Sequence, residues 1–191
     1  MIANGTLDGD PLGTMETLSY YLILATAGPD TTSYSTVAGL EALIAHPEQM
    51  RLLRERPELI PNAVEEMVRW ASPVKQFTRT AGEDFDLHGT TIKAGDRVLL
   101  SFASANRDET VFPDPFCFDV TRANSNRHIA FGSGKHFCLG APLARMQIVS
   151  LFSKLLAVIA DVQVVGPIER TQGNVVTGIK HLPIRFTLHG S

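Results

Sequence analysis

The sequence predicts a mainly α fold with small β-sheets. Two long helical patterns, Thr14 to His46 and Ala141 to Ile159, dominate it. Between them lie short β-branched and aromatic runs divided by Gly and Asp turns. The 191 residues and a hydrophobic share of 44% suffice for one domain with a real core.

The elements follow in order. The first helix has Glu16 in its first turn and is closed by Pro47. Two shorter helices are expected, about Pro47 to Glu55 and Glu58 to Trp70, punctuated by Pro57 and Pro61 and ended by Pro73. Strands are predicted at Phe77 to Thr80, Phe85 to Leu87, Thr91 to Lys93 and Arg97 to Ser101. His88-Gly89 and Ala94-Gly95-Asp96 supply the turns. Asn106 to Ala130, rich in Pro, Asp, Asn and Arg, reads as irregular and held by specific contacts. After the helix from Ala141, the tail returns to strands at Val162 to Val165 and Pro183 to Leu188.

A net charge of −3 gives no drive toward nucleic acid or an anionic membrane, so neither is expected as a partner. Arg145, Lys154 and Asp161 interrupt the apolar stretch from Leu143 to Val165. The start, MIANGTLDGDPLG, lacks the basic and apolar regions of a secretion signal, and the expectation is a cytoplasmic protein. Two cysteines build neither a disulfide framework nor a zinc site.

The richest segment is FGSGKHFCLG, Phe131 to Gly140. It sets Cys138 among Gly132, Gly134 and Gly140, just ahead of a helix opened by Pro142. Glycines permit tight turns and close approach to a flat ligand, and a cysteine at the mouth of a helix has its thiolate favoured. An exposed, electron-rich sulfur in a rigid loop is what an iron-porphyrin needs as an axial ligand. The plainer reading, a buried structural cysteine, suits Cys117 between Phe116 and Phe118. A GxGxxG phosphate loop is excluded, because Phe137 stands at the third glycine position.

Two further segments stand out. Ala27-Gly28-Pro29-Asp30-Thr31-Thr32 interrupts the longest helix with its two poorest residues. It predicts either a kinked helix with a ligand groove and a proton relay, or a helix end capped by Asp30 or Thr31. Glu66 and Arg69 share a helix face three residues apart, as a working pair or as solvated decoration.

Taken in order, AGPDTT, Glu66-x-x-Arg69 and FGSGKHFCLG resemble the C-terminal half of a soluble bacterial cytochrome P450, over nearly the whole chain. ANRDETVFPDPFCFDVTR resembles that family's meander. The resemblance implies one partial domain over residues 1–191, the C-terminal half of a P450 haem domain without its N-terminal half. It implies a monooxygenase that activates O2 at haem iron and inserts one oxygen atom into a hydrophobic organic substrate. The alternatives are a truncated haem-binding fragment without activity of its own, or a peroxide-driven or isomerising enzyme. The cofactor implied is haem b, with electrons ultimately from NAD(P)H through a ferredoxin-type partner.

The residue roles come from the same resemblance. Cys138 would be the iron ligand, and His136 and Arg79 would pair with the haem propionates. Phe131, Gly134 and Gly140 would shape the thiolate side. Gly28 would make room on the opposite face, where Asp30 and Thr31 relay protons. Glu66, Arg69 and Arg122 would form a structural ion cluster bracing the meander. Val74, Phe77 and Val176 would line the substrate cavity. Apart from the resemblance, Arg127, His128, Lys135 and Arg145 cluster in sequence around the cysteine loop, as a basic surface that steers an acidic redox partner or as a solvated basic face. A large apolar face of the long helix would be left uncovered.

Overall fold

A computed structural model describes residues 5–190; residues 1–4, part of the segment read above for a leader, and residue 191 lie outside it. Helix α1 spans Thr14–Ala45, α2 Pro47–Glu55, α3 Ile60–Ala71, α4 Phe102–Ala105 and α5 Ala141–Val158. The strands are β1 Thr6–Leu7, β2 Asp10–Pro11, β3 Gln76–Thr80, β4 Phe85–Leu87, β5 Thr90–Ile92, β6 Arg97–Ser101, β7 Ile159–Val164, β8 Glu169–Arg170, β9 Ile179–His181 and β10 Ile184–Leu188. They pair antiparallel as ribbons: β1 with β2, β3 with β6, β4 with β5, β7 with β10 and β8 with β9.

The core lies among α1, α2, α3 and α5. Leu43, Leu53, Val64, Met67, Ile148 and Phe152 are buried there, with Phe118 and Val120 from the irregular segment. Helix α3 starts at a Pro-rich turn and ends where Ser72 adopts φ 39° and ψ 59°, a left-handed stop. Its contact with α1 is close: a Cβ on Gly39 would sit 2.7 Å from Met67 Sδ, so only glycine fits without shifting the core.

Helix α1 behaves differently along its length. At 1.5 Å per residue it is about 48 Å long. Its second half is buried through Ser35, Gly39, Ala42 and Leu43. Its first half exposes Leu18, Tyr21, Leu22 and Ile23, with Leu22 at 66% exposure. Such apolar, non-stripe composition belongs to a helix covered on several sides.

Helix α5 has the length and apolarity to cross a membrane, and is the one such helix among the described residues. It is also a core helix, burying Ala141, Ile148, Phe152 and Leu156.

Residues 106–130 hold little regular structure, a single 3-10 turn at Ser125–Arg127, yet are densely bonded. The Cys117 thiol is exposed rather than packed, because only Phe118 of its two aromatic neighbours turns inward while Phe116 is 74% exposed. The ribbons of β1 with β2 and of β8 with β9, and the short helix α4, were not foreseen, since elements of two to four residues are too short to show a period.

Candidate active site

The loop from Phe131 to Gly140 is folded by its own backbone. Gly132 and Gly134 take φ of 74° and 64°, open only to glycine at low cost. The Cys138 N–H donates to the Phe131 carbonyl at 2.8 Å, closing the loop. The Ala141 N–H donates to the Cys138 carbonyl at 3.2 Å, so the start of α5 holds the cysteine backbone and leaves the sulfur free. The thiol is exposed, and Phe137 and Leu139 beside it are exposed as well. A Cβ on Gly140 would lie 3.8 Å from Sγ, within ordinary contact.

The ion cluster joins α3 to the irregular segment that precedes this loop. Glu66 and Arg69 are fully buried and Arg122 is nearly so. Arg69 Nε and Nη2 donate to the two Glu66 carboxylate oxygens at 2.7 Å each, and Arg122 Nε reaches Glu66 at 3.2 Å. The remaining guanidinium N–H groups go to backbone. Arg69 serves the carbonyls of Asn106, Pro115 and Cys117. Arg122 serves those of Pro113, Asp114 and Cys117. The Asp119 N–H donates to Glu66 at 3.1 Å. This is a fully satisfied network rather than a solvated pair.

Asn106, also buried, extends it. Its amide donates to Ser72 Oγ and its oxygen accepts the Ile129 N–H, both at 2.8 Å, linking the end of α3 to the segment entering the cysteine loop. Arg107 stacks on Trp70 at 4.6 Å and donates to the carbonyls of Arg69 and Trp70. Burial, followed by the charge of Arg69, draws its pKa down to about 10.

A second acidic centre was not foreseen. Glu65 accepts from Arg145 Nε at 2.6 Å and Nη2 at 2.9 Å, and lies 3.2 Å from His128 Nε2. This corrects the expectation for the basic surface: His128 is buried and both it and Arg145 are paired, leaving Arg127 and Lys135 exposed. Burial alone would push the Glu65 pKa up, but the hydrogen bonds from His128 and Arg145 and the charge of Arg145 outweigh it and bring it down from 4.5 to about 2. A carboxyl depressed on folding stabilises the fold above its unfolded pKa and loses that contribution as pH falls toward its folded one. Stability should therefore decline between pH 4.5 and 2. Glu65→Gln should flatten that limb in urea titrations at stepped pH, and an unchanged limb would count against this origin.

Helix α1 passes through Gly28-Pro29 without ending, which removes the capped-end alternative. Pro29 leaves the Ala25 carbonyl without its helical donor. Thr31 Oγ1 donates to the Ala27 carbonyl at 2.9 Å, so its oxygen retains acceptor capacity. Asp30 is exposed, and a Cβ on Gly28 would meet nothing within 4 Å.

Arg79 is exposed on β3, bonded to the neighbouring Thr78 carbonyl. Among the described residues neither Arg79 nor His136 is in an ion pair. Phe77 is exposed on the same strand, and Val74 bridges Val176 across two distant segments. No hydrogen bond or ion pair among the described residues joins the cysteine loop to Asp30, Thr31 or Arg79.

An exposed thiol between exposed apolar side chains, with an unpaired guanidinium and imidazole elsewhere on the surface, fits a flat, apolar, dianionic group. The comparison that decides the matter is with known families: the one described as cytochrome P450 matches residues 2–158. The chain belongs to the cytochrome P450 family. It is 46% identical over 187 residues to cytochrome P450-terp of a Pseudomonas species, covering 98% of this chain and 44% of that protein. It is 42% identical over 188 residues to the methyl-branched lipid omega-hydroxylase of Mycobacterium bovis, covering 97% of this chain and 44% of that one. The crystal structure of CYP108D1 from Novosphingobium aromaticivorans superposes with a TM-score of 0.92 at 41% identity, over 98% of this chain and 45% of that chain. The chain spans about half the length of the curated relatives it matches. P450 chemistry rests on haem iron, dioxygen and reducing equivalents.

Proposed function

We propose that this P450 chain supplies the C-terminal half of the haem domain of a monooxygenase, in which one atom of O2 enters a hydrophobic organic substrate and the other leaves as water. The observation that carries this is the exposed Cys138 thiol in a loop whose backbone is closed by the Phe131–Cys138 hydrogen bond. Cys138 Sγ would hold haem b, with Phe131, Gly134 and Gly140 around it and His136 and Arg79 on its carboxylates. When bound, that group supplies dioxygen activation, which thiolate ligation favours.

The chain's own part is to orient, exclude water and move protons. Asp30 and Thr31 would pass protons along the open side of α1, around Gly28. Thr31→Ala should lower the share of consumed electrons recovered as product and raise peroxide release in steady-state assays; unchanged coupling would remove Thr31 from the relay. Val74, Phe77 and Val176 would line the substrate space. Their apolar character, and the lipid named in the omega-hydroxylase relative, support a hydrophobic substrate.

Electrons would come from NAD(P)H through a ferredoxin-type protein, in the cytoplasm. With His128 and Arg145 paired, steering would fall to Lys135 and Arg127. Lys135→Glu should reduce the salt dependence of the electron-transfer rate, and an unaltered salt slope would speak against that surface.

The exposed first half of α1 favours a second reading for the chain by itself, a haem-binding fragment without independent activity. The deciding experiment is a reduced carbon-monoxide difference spectrum of the full-length protein. A strongly red-shifted Soret band supports the haem-thiolate reading, and a histidine-type band or no haem rejects it.

A further inference from the structure

The cysteine loop has two stems, and a single carboxylate reaches both. His128 lies on the stem entering the loop and Arg145 on the helix leaving it, and Glu65 of α3 binds the two together. His128 Nδ1 accepts the Ala130 N–H at 3.2 Å, so its proton sits on Nε2 and is donated to Glu65. Arg145 is held by a bidentate fork and lies 4.6 Å from the centre of the Phe131 ring. The Phe131 carbonyl is the group that receives the Cys138 N–H. The path from Glu65 to the cysteine is therefore short: Arg145, Phe131, Cys138.

Exposed ion pairs contribute little to stability. This one differs, because the His128 side chain is only 1% exposed and Glu65 14%. Its geometry is also directed: Glu66 faces the irregular segment, whereas its neighbour Glu65 faces the loop stems. Groups that orient a metal ligand without touching the metal commonly change affinity or activity by about 10–100-fold when removed.

We propose that Glu65 is a positioning residue for Cys138, stapling both stems of the loop to α3 so that the sulfur keeps one orientation toward the iron. This rests on the haem-thiolate reading above. It goes beyond the Glu66 cluster, which anchors residues 106–122.

The test uses the full-length holoprotein with Glu65→Gln, Arg145→Lys and Leu53→Ala, a control that removes buried volume on α2 and touches none of the Glu65 bonds. The measurements are the rate at which the red-shifted carbon-monoxide band converts to the histidine-type band, and thermal unfolding by circular dichroism. Glu65→Gln should convert about tenfold faster or more. Arg145→Lys, which keeps the charge but loses the fork, should fall between it and the parent. Leu53→Ala should melt earlier with conversion near the parent rate. Parent-like conversion in both loop variants overturns the proposal, as does equally fast conversion in the core control. Should Glu65→Gln fail to load haem, Arg145→Lys against the control decides by the same criteria. A parent protein without the red-shifted band overturns the haem-thiolate reading itself, and the role of Glu65 with it.

Discussion

Cys138→Ser is expected to abolish the red-shifted carbon-monoxide band of the full-length protein, while leaving the helical circular dichroism near that of the parent. The loop closes through the backbone N–H and carbonyl of residue 138, and neither changes when sulfur becomes oxygen. The side chain points to solvent, so no cavity opens in the core. What changes is the ligand: a hydroxyl has neither the acidity nor the softness of a thiol for iron. Cys138→His should separate ligation from thiolate chemistry, since imidazole can bind iron without pushing electron density onto it. Retention of the red-shifted band by either variant would remove Cys138 as the ligand.

Arg69→Ala is expected to cost about 3–5 kcal/mol, the usual consequence of breaking a buried pair from one side. Glu66 would keep Arg122 but lose both short bonds from Arg69. The carbonyls of Asn106 and Pro115 would lose their guanidinium donor as well. Since a domain is stable by only about 5–15 kcal/mol, the variant should yield little haem-loaded protein. Replacing all three charged residues with apolar ones should not restore stability, because the carbonyls of Pro113, Pro115 and Cys117 would lose their guanidinium donors. Normal haem content and an unchanged urea midpoint in Arg69→Ala would contradict this account.

Much of the architecture could be read from local signals. The long helices announce themselves by apolar periodicity and proline boundaries, and α1 and α5 lie within a residue of expectation. The β4–β5 hairpin was equally legible, because His88 and Gly89 are turn residues and both take positive φ. The Cys138 loop and the AGPDTT helix stand out because their residues are poor choices for anything else.

Other parts are invisible to that kind of reading. Glu65 looks like any helical surface acid, and its partners lie 63 and 80 residues away. Asn106 sits in a polar stretch where asparagine is unremarkable, and only its burial shows that both ends of its amide are used. Cys117 misled because flanking aromatics suggest burial, whereas an irregular backbone can turn one neighbour inward and its companion out. The Glu65 and Asn106 cases depend on long-range pairing, for which sequence spacing carries no periodic signature.

The carbonyl contacts of Arg69 and Arg122 have a consequence for how this chain tolerates sequence change. Those guanidiniums recognise main-chain oxygens, so the side chains of the segment they hold are largely irrelevant to the recognition. Exposed positions there, such as Phe116, Cys117 and Thr121, are free to vary with little penalty. Glu66, Arg69 and Arg122 share the constraint with the few side chains of the segment that turn inward, Phe112, Phe118 and Val120. A saturation library across this region should thus divide sharply, with permissiveness at its exposed positions and near-complete intolerance at the residues that grip it or turn inward.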